Sequence, residues 1–172
     1  DKSGRRIGIL LGLVIDTDSR SLVSEEYVID ARVDEYTDID DLVEKHFYRL
    51  AGSFALIIAT DSVRRLYLDA NGTKSVVYDA DARVAASTAA LAILDASSYS
   101  RRLNMSLRRA LQVDGEGWLP AGLTAHEGLE RLTCNHFLDL DRWLPVRHWP
   151  RREIVRDEAA QPALDVILDE IH

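Results

Sequence analysis

The run Phe54-Ala-Leu-Ile-Ile-Ala-Thr60 constrains the fold more than any other segment, because it is apolar on both faces a strand would present. A strand with one wet face alternates in polarity, so one that does not alternate needs cover on both sides. Three more strand candidates follow in quick succession. Residues 65–69 come after the turn at 61–64, residues 75–78 come after Asn71-Gly72, and residues 83–87 lie beyond Asp79-Ala-Asp81. This spacing predicts a meander of antiparallel strands rather than the strand–helix alternation of a dinucleotide-binding fold.

Upstream, residues 7–15 are nearly all apolar and end at the turn Asp16-Thr-Asp-Ser19, which predicts a buried strand. Residues 22–29 carry Val23, Tyr27, Val28 and Ile29, and pair with it as a hairpin. In residues 38–50, Ile39, Leu42, Val43, His46, Phe47 and Leu50 share one helical face. Asp38, Asp40 and Asp41 suit the positive end of that helix, and Gly52 is placed to stop it. Two further helices are expected over 89–95 and 103–111, the second from the spacing of Leu103, Leu107 and Leu111. A turn is expected over 118–122, one helical turn or a bend over 127–132, a strand over 135–140, and an extended stretch over 146–149 between Pro145 and Pro150. Charged residues dominate 151–158. Pro162 then opens an amphipathic helix with Leu164, Ile167, Leu168 and Ile171 on one face. The division this suggests is a domain over 1–150 and a linker with terminal helix over 151–172.

Composition closes off several functions. The chain has 172 residues, long enough to bury a full core unaided, and a net charge of −8. That charge disfavours a phosphate-gripping nucleic-acid protein, and the cluster Arg101, Arg102, Arg108 and Arg109 reads as a solvated helix face with no interleaved aromatic except Tyr99. No apolar run approaches the ~20 residues a spanning helix needs. The basic stretch before residue 7 imitates a signal peptide, but Asp16 and Asp18 stand where small cleavage-site residues belong. A single cysteine excludes a disulfide framework and a multi-thiolate zinc site. A cytoplasmic protein without membrane or nucleic-acid partners is expected.

Residue spacing alone yields no active site. Cys134 and His136 on one strand would stand about 7 Å apart, too far for a thiolate–imidazole pair. Asp139 and Asp141, even with His126 or His148 recruited, make no compact metal ligand set. The Asp-rich stretch 30–41 lacks the glycine and closing glutamate of an EF-hand, and Asn71-Gly-Thr-Lys74 is not a phosphate loop.

A family pattern emerges from ordered blocks instead. The first comprises Leu50-Ala-Gly-Ser-Phe-Ala-Leu-Ile57, Arg65-Leu-Tyr-Leu-Asp-Ala-Asn-Gly72, Ser75-Val-Val-Tyr78, Val84-Ala-Ala-Ser87 and Leu91. The second comprises Leu123-Thr124, Gly128-Leu-Glu-Arg-Leu132 and Asn135-His-Phe-Leu138, followed by Trp149. In this order they resemble the N-terminal glutamine amidotransferase domain of the asparagine synthetase family. The resemblance implies an α+β, Ntn-hydrolase-like αββα sandwich, with two antiparallel sheets between helical layers. It also implies glutamine hydrolysis that feeds ammonia to an ATP-dependent synthetase domain. The family's nucleophile is a Cys at position one, assisted by its own α-amine, with an Asn side chain and a Gly amide at the oxyanion. An Arg and an Asp hold the glutamine.

This chain departs from that machinery. Position one is Asp1, Cys134 falls where the family has Pro-Gly, and no Asn-Gly-Glu segment lies between Ile15 and Asp38. Ala51, Ser75 and Thr88 replace the family's Asp, Pro and Glu. The positions kept are Gly52, Phe54, Asp69, Gly72, Tyr78, Ser87, Thr124, Gly128, His136 and Leu138, which are turn, core and strand-end residues. The expectation is a degenerate amidotransferase-like domain without glutaminase activity, acting as scaffold or docking domain. No catalytic or metal-binding residue and no cofactor of its own is expected, and its partner is a synthetase domain or a second copy. One alternative is an active amidotransferase whose Cys-bearing N-terminal segment precedes Asp1. Another is a stand-alone self-associating module held by its terminal helix.

Overall fold

A computed structural model describes residues 1–93, 98, 102–112 and 119–151. Arg101, residues 94 and 95 of the second expected helix, Trp118, the charged stretch beyond Arg151 and the helix expected at 162–172 lie outside those residues. The described chain is α+β, with two antiparallel sheets and few helices. Among these residues no helix is long and apolar enough to cross a membrane.

The large sheet is built from β1 (Gly8–Asp16), β2 (Ser21–Leu22), β3 (Leu50–Ala59), β4 (Arg64–Leu68), β8 (His136–Asp139) and β9 (Leu144–Arg147) in the order β2-β1-β3-β4-β8-β9. The small sheet orders β5 (Val77–Asp79), β6 (Val84–Ala86) and β7 (Glu130–Arg131) as β6-β5-β7. The pairs β1–β2, β3–β4, β5–β6 and β8–β9 form hairpins, but the meander expected over 54–87 divides between two sheets after β4. Pro145 is accommodated because β9 is an edge strand, where a missing donor costs no ladder bond.

Three side-chain clusters hold the layers. The first packs α1 (Ile39–His46) through Leu42 and Val43 against Val14, Phe54, Leu56, Ile58 and Tyr67 of the large sheet. The second joins the opposite face of that sheet, through Ala55, Leu66, Leu68 and Leu138, to Val76, Tyr78 and Leu132 of the small-sheet side. The third packs Val77 against Ala92 of α2 (Ala89–Ile93). Successive residues Leu56 and Ile57 therefore face different layers, as the unalternating run of β3 requires. β3, third of the six strands, is covered on both faces, as expected.

Several expected boundaries move for local reasons. α1 starts where Asp38 caps it, the carboxylate accepting the Asp40 N–H at 2.9 Å. It ends at His46, before Gly52 is reached. Gly52 lies inside β3 with φ +117°, opposite Val14, where a Cβ would come within 2.4 Å of the Leu13 carbonyl oxygen. Its smallness serves close strand approach, not helix termination. Of residues 22–29 only Leu22 is in a strand. Ile29 and Tyr27 reach the first cluster from irregular backbone. The helix expected from Leu103 shrinks to α3 (Met105–Ala110), because Asn104 takes the cap position and accepts the Leu107 N–H. Of the stretch 127–132, expected as one helical turn or a bend, residues 127 and 128 form a turn and Glu130–Arg131 become strand β7, recruited by pairing with Val77 and Tyr78.

The largest departure concerns β1. Residues 7–15 read as a buried strand, yet Ile9, Leu11, Leu13 and Ile15 are between 37% and 55% exposed. They lie on the face shared with Ala55 and Ile57, the face the small sheet covers. The small sheet packs over β3, β4 and β8 and leaves β1 bare.

Candidate functional site

The cavity that combines depth with polar groups lies between the C-terminal end of α1 and the large sheet, with a volume of about 370 Å³. Phe54 and Leu56 of β3, Tyr67 and Leu68 of β4, and Val43 and Phe47 from α1 and its end form the walls. Cys134, Asn135, His148 and Trp149 close one side. These four come from the segments flanking the β8–β9 hairpin, whose register sets His136 opposite Arg147 and so brings Asn135 beside His148. The His148 N–H donates to the Asn135 carbonyl at 2.9 Å, which fixes that corner.

His148 is the polar centre of the cavity wall. Its Nε2 lies 3.2 Å from the Cys134 carbonyl oxygen and its Nδ1 lies 2.7 Å from the Tyr48 hydroxyl. A carbonyl oxygen only accepts, so Nε2 carries the proton and Nδ1 accepts from Tyr48. Burial holds the imidazole below its ordinary pKa, outweighing the Cys134 carbonyl, which favours the charged form. Burial also pushes the hydroxyls of Tyr48 and Tyr67 up to about 12, so both keep their protons at neutral pH. The Tyr67 and His148 rings meet edge-on at 5.3 Å, and Tyr48 meets Trp149 edge-on at 5.6 Å.

Charges stand around this site without entering it. Arg65 pairs with Asp40 at 2.5 Å, lies 4.2 Å from the Phe137 ring centre and donates to the Tyr67 hydroxyl at 3.3 Å. Arg151 binds Asp38, Asp41 and Glu44, tying the end of the β9 segment to α1. The Asp-rich stretch is thus occupied with helix capping and ion pairs. A second hollow of about 400 Å³ is rimmed by Arg5 and Asp61, which pair with each other, and by Arg65, Asp34 and Asp38, which pair with Asp40, Arg32 and Arg151.

The residues singled out from the sequence separate in space. Cys134 and His136 share no strand, since the chain turns at 133–136 and β8 begins at His136. The His136 ring contacts Thr133 Oγ1 and Asn135 Oδ1, each at 2.7 Å. His148 does approach Cys134, but at its carbonyl, and both ring nitrogens are already engaged. With both ring nitrogens engaged, His148 is not placed to act as a base on the Cys134 thiol. His126 is buried beside Leu103 and Thr124. Asp139 caps the β8–β9 turn through Asp141 and Arg142 N–H groups, and Asp141 pairs with Arg64. Among the described residues no group of three His, Cys, Asp or Glu side chains is arranged for a metal.

Arg102 departs from its reading as part of a solvated face. It pairs with Asp79 at 2.9 Å and donates to the Glu127 carbonyl. Asp69 and Thr88 hold structural places. Asp69 organises the turn after β4, and Thr88 accepts the Leu91 N–H at the start of α2. Ser87 is exposed beyond β6. Sequence reasoning missed the pairing of Tyr48 with His148, residues 100 apart. No local periodicity carries such a signal, because two packed hairpin ends create it.

No known protein-family model, no characterised protein and no solved structure matches the chain.

Proposed function

We propose that the chain is an amidotransferase-like domain of the Ntn-hydrolase type that has lost glutaminase chemistry and serves as a docking scaffold. The family-like motif blocks support this reading, together with the layer order of helix, sheet, sheet, helix. The residues kept from the family pattern are occupied with folding: Asp69 in a turn, Thr124 bonded to the His126 and Leu129 carbonyls, Tyr78 bonded to Glu130. The observation that carries the docking role is the bare part of the large sheet. Ile9, Leu11, Leu13 and Ile15, with exposed Leu22 on neighbouring β2, offer a row of half-exposed aliphatic side chains along a rigid strand. Contiguous apolar surface on a sheet face marks an interaction site or an aggregation liability. Covering these side chains releases about 1 kcal/mol each, half the value of full burial. The occupant is a synthetase domain of the same system. A second copy is the other reading, favoured by the same face.

The test uses the full-length protein. Leu11→Lys with Leu13→Lys is expected to weaken its assembly with the synthetase domain, followed by sedimentation, by well over tenfold. Dissociation of a homodimer by the same change favours the second reading. Assembly indifferent to both substitutions overturns the docking role. Glutamine hydrolysis that disappears when an N-terminal Cys is changed overturns the loss of chemistry.

A further inference from the structure

The hollow beneath α1 lies on the opposite face of the large sheet from the bare side of β1, and docking there makes no use of it. We propose that this hollow is a binding site for a small, neutral aromatic molecule carrying a hydrogen-bond acceptor.

Three observations lead to that occupant. The first is size. Protein interiors are packed like organic crystals, and a gap of about 370 Å³ against the hydrophobic core deprives its lining of dispersion contacts. That volume lies within the range of small-molecule sites. The gap also has an entrance. Val43, Leu50, Phe54, Leu56 and Tyr67 of its lining are buried, whereas Ala70 and Trp149 are exposed. A ligand reaches the floor without unfolding the core.

The second observation is charge. Among the described residues, no Lys, Arg, Asp or Glu lines the hollow. Arg65, Asp40 and Arg151 are committed to ion pairs outside it. A charged ligand would lose its hydration with no opposite charge to receive it. Neutral ligands face no such cost.

The third is shape and polarity. Phe47, Tyr48, Phe54, Tyr67 and Trp149 contribute aromatic surface, and aromatic rings prefer edge-to-face or offset contact with one another. Asn135 supplies the polar anchor. Its Oδ1 is engaged by the His136 ring, and the amide N–H₂ is the group the proposal assigns to an acceptor such as a hydroxyl or carbonyl oxygen. A ring on the apolar floor with an oxygen toward Asn135 satisfies all three features.

The probes are benzyl alcohol, benzoate and benzylamine, three molecules with one ring and three charge states. Binding to the intact protein is followed by methyl and aromatic NMR shifts. Benzyl alcohol is expected to saturate and to shift Val43 and Leu56. Benzoate and benzylammonium are expected to bind at least about tenfold more weakly. Ala70→Trp, at the exposed entrance where folding is not at risk, is expected to weaken benzyl alcohol by about tenfold or more, and Val43→Phe is expected to do so from the floor. Leu11→Lys is expected to leave binding unchanged, which separates this site from the docking face. Absence of saturable shifts at Val43 and Leu56 overturns the proposal. So does equal binding of the three probes, or binding indifferent to Ala70→Trp. Contacts in the ligand-free protein between the 162–171 methyl groups and the Phe47 and Phe54 rings also overturn it, since the chain's own tail would then be the occupant.

Discussion

Asp69→Ala is expected to be among the most damaging single changes outside the apolar core. The side chain is 2% exposed at the end of β4. Its Oδ1 accepts the Asn71 and Thr73 N–H groups, both at 3.1 Å. Its Oδ2 accepts the Thr73 hydroxyl at 2.7 Å, the Lys74 N–H at 3.2 Å and the Phe54 N–H at 3.3 Å. One carboxylate thus folds the turn and stitches it to the central strand. In the Ala variant the turn's outer donors can reach water, but donors next to buried backbone, Phe54 above all, lose their acceptor. Each stranded donor costs ~1–3 kcal/mol, so a total of about 3–5 kcal/mol is expected. Asp69→Asn keeps one acceptor and turns an amide toward the other donors, for about half that loss.

The carboxylate also makes this stability depend on pH. Burial raises the Asp69 pKa, but the Thr73, Lys74 and Asn71 donors outweigh it and the net shift is downward. A group depressed on folding contributes stability that is complete above its unfolded pKa, about 4 for Asp, and is lost as pH falls through the folded value. Urea unfolding followed by tryptophan fluorescence, at pH 7 and at pH 3, reads both effects. Wild type should lose more stability across that interval than Asp69→Asn does. A loss below about 1 kcal/mol for Asp69→Ala at pH 7, or identical acid sensitivity of wild type and Asp69→Asn, refutes the reasoning.

Other expectations follow from the same structure. Gly52→Ala must place a side chain at φ +117° and against the Leu13 carbonyl, and is expected to cost about 3 kcal/mol in chemical denaturation. Ile58→Ala, at a fully buried position, should cost about 2–5 kcal/mol, whereas Leu11→Ala on the bare face should stay within about 0.5 kcal/mol. Equal losses at the two sites would contradict the assigned faces of the large sheet. Burial lowers the pKa of His46, His136 and His148. Their contribution is complete above the ordinary value near 6.5 and is lost as pH falls through the folded values, so Tm should drop on acidification from about pH 7 to 5. His148→Gln should lessen that drop, and an unchanged profile would remove His148 from the account.

Local chemistry made much of the architecture legible. The face of Leu42 and Val43 behind an Asp38 cap identified α1, and Asn71-Gly72 placed the turn after β4. The unalternating run at 54–60 identified a strand that needed cover on both sides. These features depend on neighbours in sequence, where periodicity and turn chemistry act. The cavity wall was not legible. Tyr48 and His148 are brought together by the end of α1 and the β8–β9 hairpin, and nothing in either segment names the other. β7 was also hidden, since residues 130 and 131 become a strand only because Val77 and Tyr78 offer a free edge.

What the sequence determined alone was an acidic chain with closely spaced strands, one capped amphipathic helix and one strand that needs cover on both faces. β1 marks the limit of that reading. Its residues are apolar on both faces, which specifies that each face is suited to contact but not what lies opposite. Tertiary structure decided that question through the width of the second sheet. Its three strands cover β3, β4 and β8 and stop short of β1. Hydrophobicity is a property of each residue, whereas burial belongs to whatever surface the rest of the chain brings against it.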